Sequence, residues 1–448
     1  MAEFSSLTLK QVEEERRFDA DFYRPEYFAM INKLKNKGAV ELLTVAPSIK
    51  RKFKPVENES FNYIEISQID LATGEFDVSR IIGEEAPDRA QFVVKTDDIL
   101  ISTVRPIRNA ITIIKGEDSN LVCSSGFSVI HPNSDPFYLF IYFKTNFVRL
   151  LLDRYTTATE YPAINSDDIF KIPIYLGTKD FRNKISALVS DAFDKIDMGK
   201  SLYNKAEELL EKELGIYKIQ IDTDLFYTKD SGLVNRQRRF DAEYFQPAYE
   251  KIIKSVGKKF ELVQLNALIR RDMEKGIEVG GENYTEIGKK FIRVSNISPI
   301  GFIEKDQKYV SEESFKELKS IYSPKIGDFL ITKDATLGIG YVVKEDVDGI
   351  ISSGILNIDI DETKINREYV ALCINSVFGR LQAERDGGGS IISHWRPDDV
   401  GKILIPIISS ELQKKISTLV KESHSSRKEG LNLLNKAKSE IEKAVELN

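Results

Sequence analysis

Along residues 179–215 the chain places apolar or small side chains at Ile185, Val189, Ala192, Ile196, Gly199, Tyr203, Ala206 and Leu210, alternately four and three apart, with no proline between them. Such a repeat lays a narrow stripe along a helix and turns it toward a partner helix, the seam of a coiled coil. The stripe returns near the end of the chain at Ile416, Val420, Ser423, Arg427, Gly430, Leu434, Ala437 and Ile441, with a polar middle. Two long helices are predicted, each roughly 55 Å long at about 1.5 Å per residue. Their ends should pack, and Ser423, Arg427, Gly199 and Gly430 should mark a thinner, locally loosened middle. Elsewhere the apolar positions alternate in short runs between turn residues, which predicts strands at 61–66, 99–103 and 127–130 and again at 291–295, 329–332 and 355–360. Short helices with proline in the first turn are predicted at 25–35 and 247–256. Helices at 137–155 and 367–384 and last strands near 172–175 and 403–408 complete the two sets.

These sets are two copies of one unit. Arg17-Phe18-Asp19-Ala20 recurs as Arg239-Phe240-Asp241-Ala242, Asp98-Ile99-Leu100-Ile101-Ser102 parallels Asp328-Phe329-Leu330-Ile331-Thr332, and Ser124-Ser125-Gly126 returns as Ser352-Ser353-Gly354. Further along, Tyr138/Tyr369, Phe147/Phe378, Asp167-Asp168/Asp398-Asp399 and Asn204-Lys205-Ala206/Asn435-Lys436-Ala437 keep a constant register. Chance patterning would not restore register after each insertion, and the period is far too long for a solenoid. The expected organisation is 1–177, an N-terminal arm and first globule; 178–222, a central helix; 223–408, a second globule; and 409–448, a C-terminal helix. The fold class is α+β, with two mixed globules and two long helices running antiparallel with pseudo-two-fold symmetry, which would set the globules at opposite ends. Packing of each helix onto its own globule is the plainer alternative.

Composition narrows the function. The 64 basic and 70 acidic residues leave a net charge of −6 over 448 residues, so any nucleic-acid surface must be a local basic patch. Two cysteines, Cys123 and Cys373, and three histidines are too few for a disulfide framework or a protein metal cage, and a reducing cytoplasm is the expected compartment. The N-terminus turns acidic where a signal peptide needs an apolar core, and the longest apolar run, 137–143, stops at Lys144, so no membrane is expected. Phosphate-loop, dinucleotide, nucleophile-elbow and zinc-protease signatures are missing, and no catalytic or metal site is expected.

Recognition loops are the better candidates. In copy one these carry Arg51, Lys52, Arg105, Arg108, Asn109, Arg154, Thr157 and Thr159; in copy two, Arg270, Arg271, Lys333, Thr336, Gly388, Ser390, His394 and Arg396. Such side chains hold phosphates as cations and read base edges through paired hydrogen bonds. The copies differ most here, with Thr103-Val104-Arg105-Pro106 standing where Lys333-Asp334-Ala335-Thr336 stands. Two related readers with different surfaces would recognise two different half-sites.

The doubled, ordered series, with Gly327-Asp328-Phe329-Leu330-Ile331-Thr332, Ser352-Ser353-Gly354 and the Gly-Ser loop before Asp399, resembles the specificity subunit of type I restriction-modification systems over essentially the whole chain. The chain departs from the family at the helix entries, where Ile172-Pro173-Ile174 leads to Asp180-Phe181-Arg182 and Pro406 leads to Glu411-Leu412-Gln413. The resemblance implies a non-catalytic subunit with two target-recognition domains, each binding one half of a split, asymmetric site in double-stranded DNA. It implies helices that set the spacing and dock two DNA-adenine methyltransferase subunits, with translocase-nuclease subunits where cleavage is added. No cofactor is expected in this chain; S-adenosylmethionine and Mg/ATP would belong to the partners. The alternative is a two-domain protein-interaction scaffold that never touches DNA.

Overall fold

The computed structural model describes residues 12–13, 15–116, 120–157, 161–218, 226–387 and 393–446. They form two compact units, one of Met1–Asp194 with Glu304–Asp306 and Glu429–Asn448, the other of Lys195–Ile303 with Gln307–Lys428. Each unit therefore holds one globule and about half of each long helix.

In the first unit, β-branched and aromatic runs build two small sheets. Ser60–Ile64 pairs parallel to Leu121–Ser124 and antiparallel to Ser79–Ile82, with Ala90–Val93 on the far side of Leu121–Ser124. Ile99–Ser102 lies antiparallel between Ile111–Ile113 and Phe127–Ile130. Ile64, Leu100, Leu121, Phe127 and Val129 share one buried cluster. A two-residue ladder joins Val40–Glu41 to Pro173–Ile174.

The second unit repeats this wiring. Lys289–Ile292 pairs parallel to Gly349–Ile351 and antiparallel to Lys308–Val310. Phe329–Thr332 lies antiparallel between Gly340–Val342 and Ile355–Ile358, and Leu262–Gln264 pairs with Leu404–Pro406. The duplication read from short words in the sequence is thus a duplication of these central pairings and their directions. The edges differ: Ala90–Val93 in the first unit has no counterpart in the sheet of Lys289–Ile292, where the helix Glu312–Tyr322 follows Lys308–Val310, and Glu274–Lys275 adds an edge strand beside Ile355–Ile358.

Two single helices expected from apolar content are each broken in two. Residues 137–155 form Pro136–Phe143 and Asn146–Arg154, and 367–384 form Arg367–Asn375 and Val377–Asp386. The breaks share a cause. Thr145 Oγ1 donates to Tyr142 O and Ser376 Oγ to Cys373 O, both at 2.7 Å, while each residue's own backbone is extended. A hydroxyl bonded back to the preceding turn competes with helix propagation and starts a new helix.

The long helices span Lys179–Leu214 and Ser410–Glu446. In the first unit, Ile185, Val189 and Ala192 of one helix and Leu434, Ala437 and Ile441 of the other are buried, and Lys184 Nζ lies 2.6 Å from Glu440 Oε2. Phe193 packs on Phe137 and Phe140 of the globule. In the second unit, Ile196, Tyr203, Ala206, Leu210, Ile416 and Val420 are buried, and all but Ile196 join the core of the globule. Asn375 Nδ2 donates to the Tyr203 hydroxyl at 2.7 Å. The stripe is therefore shared: it serves the helix pair and the globule together. The pair runs antiparallel, since Ser426 Oγ donates to Lys195 O and Ser423 Oγ to Gly199 O, both at 2.7 Å.

The polar middle is close-packed rather than loosened. A Cβ on Gly199 would stand 2.9 Å from Ser423 O and 3.3 Å from Arg427 N. Gly199 gives up helix propensity, and the crossing it permits lets serine hydroxyls bond to the opposite backbone. Arg427 is buried as well and donates to Phe302 O at 3.1 Å. Gly199→Leu is expected to destabilise the chain by about 3 kcal/mol through overpacking, and Ser423→Ala by about 1 kcal/mol, measured by urea denaturation.

His424, beside the Tyr341 ring at 5.4 Å, is buried. Burial first, then the Lys344 and Arg427 cations, push its imidazole down to about 3. The unfolded chain binds a proton near the ordinary pKa of about 6.5 while the folded chain does not. Stability is therefore full above that value and falls as pH drops from there toward 3, by up to about 1.4 kcal/mol per pH unit. His424→Gln is expected to flatten this part of the stability–pH curve relative to the native chain.

Candidate nucleic-acid interface

In each unit, the strand Ile99–Ser102 or Phe329–Thr332 runs out into a loop that is pinned by matched backbone hydrogen bonds, supplemented by the hydroxyls of Ser102 and Thr103 in the first and of Thr332 in the second. Thr103 N donates to Gly126 O at 2.8 Å, and Lys333 N to Gly354 O at 2.9 Å. Ile164 N donates to Thr103 O at 2.8 Å, and Trp395 N to Lys333 O at 2.7 Å. Arg105 N donates to Pro162 O at 2.7 Å, and Ala335 N to Ser393 O at 2.9 Å. Arg105 and Ala335 both take the left-handed conformation, with φ of 47° and 57°. The loop in the second unit is one residue shorter, closing at Gly338 (φ 74°) where the first closes at Asn109 (φ 59°). Different side chains thus sit on one backbone frame.

What the frames display differs. In the first unit the Arg105 guanidinium lies 5.7 Å from the centre of the Tyr161 ring, whose side chain is 73% exposed. Exposed Thr157 joins them: its backbone pairs with Ala163, and Ala163 bridges Val104. Arg108 lies 3.5 Å from Asp306, and Asn109 Nδ2 donates to Lys144 O at 3.2 Å. In the second unit Lys333 Nζ lies 2.9 Å from both Asp334 oxygens, and exposed His394 holds Nδ1 2.8 Å from Asp334 Oδ1. Burial raises the Asp334 pKa, but the hydrogen bonds from Lys333 and His394 outweigh it and keep the carboxyl below the usual range. Thr336 is exposed, and its carbonyl accepts from Thr332 Oγ1 at 2.6 Å. Arg396, also exposed, pairs with Asp399 at 2.8 Å. A cation over an aromatic face in one unit and a Lys–Asp–His cluster in the other are chemically distinct surfaces.

Other residues singled out from the sequence lie elsewhere. Arg154 is buried: it donates to Phe22 O, the Tyr155 hydroxyl and Glu15 at 3.1 to 3.3 Å and lies over the Phe22 ring, which makes it a core cation of the first unit. Arg51 is tied at 2.6 Å to the fully buried Asp98, which His131 also approaches at 2.9 Å. Lys52 is exposed and bridges Phe92 through its backbone. Arg270 and Arg271 are exposed and face Asp361 and Glu274. Thr159, Gly388 and Ser390 lie outside the described residues. Tyr161 was absent from the sequence candidates. The register that matches Asp168 to Asp399 also sets residues 161–163 against 392–394, so it could have been found there. Among the described residues, no group of three or more His, Cys, Asp or Glu could hold a metal ion, and no helix is long and apolar enough to cross a membrane.

No family model matches the chain. The HindI specificity subunit, a type I restriction enzyme component of Haemophilus influenzae, is 23% identical over 35% of this chain and 32% of its own length. A putative type I restriction enzyme specificity subunit of the same organism is 28% identical over 36% of this chain and 43% of its own. This chain is a relative of the type I specificity subunits. The matches span between about a third and under half of the length of these curated relatives. A crystal structure of the HsdS subunit from Thermoanaerobacter tengcongensis aligns over 91% of this chain and 95% of that one, at 19% identity and a TM-score of 0.34.

The two arginines at the heart of the first unit of this specificity-subunit relative should behave differently. Ala335 already occupies the conformation of Arg105, so Arg105→Ala is expected to change stability by no more than about 0.5 kcal/mol. Arg154→Ala strips a buried cation from its partners and is expected to cost about 3 kcal/mol. Denaturant midpoints of the two variants check both values.

Proposed function

We propose that this chain is the non-catalytic, sequence-specific DNA-binding subunit of a type I restriction-modification complex, acting in the cytoplasm against foreign DNA. Each unit reads one half of a bipartite, asymmetric site in double-stranded DNA. The antiparallel helices set the spacing and dock two DNA-adenine methyltransferase subunits. The observation that carries this reading is the pair of matched loop frames with unlike side chains: a frame held by main-chain bonds can change its displayed groups without refolding, as two half-site readers require.

On this reading the contacts divide by chemistry. Arg105, Lys333 and Arg396 supply cationic and bidentate groups, Thr157, Thr336 and His394 supply short polar ones, and Tyr161 offers an aromatic face. Lys52, Arg270 and Arg271 would hold phosphates, and Thr159, Gly388 and Ser390 are further candidate contacts. The chain carries no cofactor of its own. S-adenosylmethionine belongs to the methyltransferase subunits, which flip the target adenine out of the stack. Mg/ATP belongs to translocase-nuclease subunits where these assemble. Joint reading of two segments by one chain turns two modest binding events into one specific one.

Exchange of residues 39–175 for those of a relative is expected to change one half of the methylated site and leave the other intact, read by methylome sequencing. A change in both halves, or in neither, contradicts the proposal. Binding to duplex DNA should weaken steeply with added salt. Indifference to DNA with all partners present would favour a protein-interaction scaffold instead.

A further inference from the structure

The word that opens each copy takes no part in the reading frame, yet it is folded alike in both units. Its match extends one residue earlier, to Arg16 and Arg238, both exposed and both left-handed, with φ of 52° and 51°. L residues with side chains avoid that conformation. The next arginine clamps the aspartate two residues on through Nε and Nη2, Arg17 to Asp19 at 2.7 and 2.6 Å and Arg239 to Asp241 at 2.9 and 2.5 Å. Each guanidinium also lies over an aromatic ring, Phe22 or Tyr244, and donates to a carbonyl, Thr156 O at 3.4 Å or Asp386 O at 3.1 Å. The phenylalanine inside each clamp is thereby held out in solvent, Phe18 at 88% and Phe240 at 81% exposure.

One exposed phenylalanine would be ordinary. The same phenylalanine, in the same unfavourable turn, in two units whose reading loops have diverged, is not. Groups that read bases should differ between the units as the loops do, whereas groups that meet the same partner twice should stay alike. The carbonyl gripped by Arg17 belongs to Thr156, directly before Thr157 of the first loop frame, and that gripped by Arg239 belongs to Asp386, the last residue of its helix. A partner seated on the first of these turns would therefore stand beside the loop frame of that unit.

We propose that Phe18 and Phe240 are equivalent docking anchors, each inserted into an apolar, acid-rimmed pocket on one copy of the same partner chain. The acidic rim would face the exposed Arg16 and Arg238. This rests on the function proposed above, in which the partner present in two copies is the DNA methyltransferase subunit.

The test is native mass spectrometry of the full chain co-expressed with the DNA-adenine methyltransferase subunit proposed as its partner. Duplex binding by the isolated chain is measured in parallel. The native chain is expected to carry two methyltransferase subunits, Phe18→Ala and Phe240→Ala one each, and the double variant none. Affinity at the altered site should fall by about 30-fold or more, the loss expected of a hot-spot aromatic. Circular dichroism should be unchanged, because neither ring is buried. Two subunits on every variant overturns the inference and leaves the proposed function standing. No methyltransferase on the native chain overturns both. Loss of duplex binding with partner stoichiometry intact overturns the inference in favour of an apolar wedge into DNA.

Discussion

The arrangement rests on a few main-chain hydrogen bonds. Thr103 and Lys333 each lend their N–H to one segment and their carbonyl to another, so each candidate loop is fixed between two stretches of backbone. Such bonds are indifferent to side-chain identity. The energetic cost of the left-handed residue that follows is borne by this framework, which accepts Arg105 in one unit and Ala335 in the other. A loop built this way separates folding from display: what is displayed can change while what holds it does not.

The long helices obey a different constraint. Their stripes are buried on two fronts, against one another and against the globules, so their register cannot slide without emptying a core. Tyr203 illustrates the coupling, because it belongs to the helix stripe and yet takes a hydrogen bond from Asn375 in the globule. The close approach at Gly199 adds a second lock. Ser423 and Ser426 donate hydrogen bonds to the opposite helix backbone, and a larger side chain at Gly199 would push against the backbone of Ser423 and Arg427. Within each unit the two helix halves are thus held by apolar packing, and in the second unit also by polar contact.

Divergence is distributed unevenly over the duplicated plan. The central strand pairings, the helix breaks at Thr145 and Ser376, the loop frames and the Arg–Phe–Asp turns agree in both units, while the edge strands, the displayed loop residues and the helix Glu312–Tyr322 do not. Features held in common either carry the fold or face a shared surroundings. Features that differ are free of both demands.

The sequence by itself determined the duplication, the two long helices and nearly every central strand, because these follow from periodicity and from words repeated in register, both written locally in the chain. It also pointed to the loops that carry the candidate interface. It did not reveal which arginines those loops could offer. Arg154 and Arg105 look alike in a string of letters, and only tertiary packing buries one among Phe22, Tyr155 and Glu15 and sets the other beside an exposed tyrosine. Nor did it foresee the close polar crossing at Gly199 or the broken helices. Those depend on where a hydroxyl finds its acceptor, and that acceptor is either on another element or in competition with the helix itself, so only the assembled structure decides.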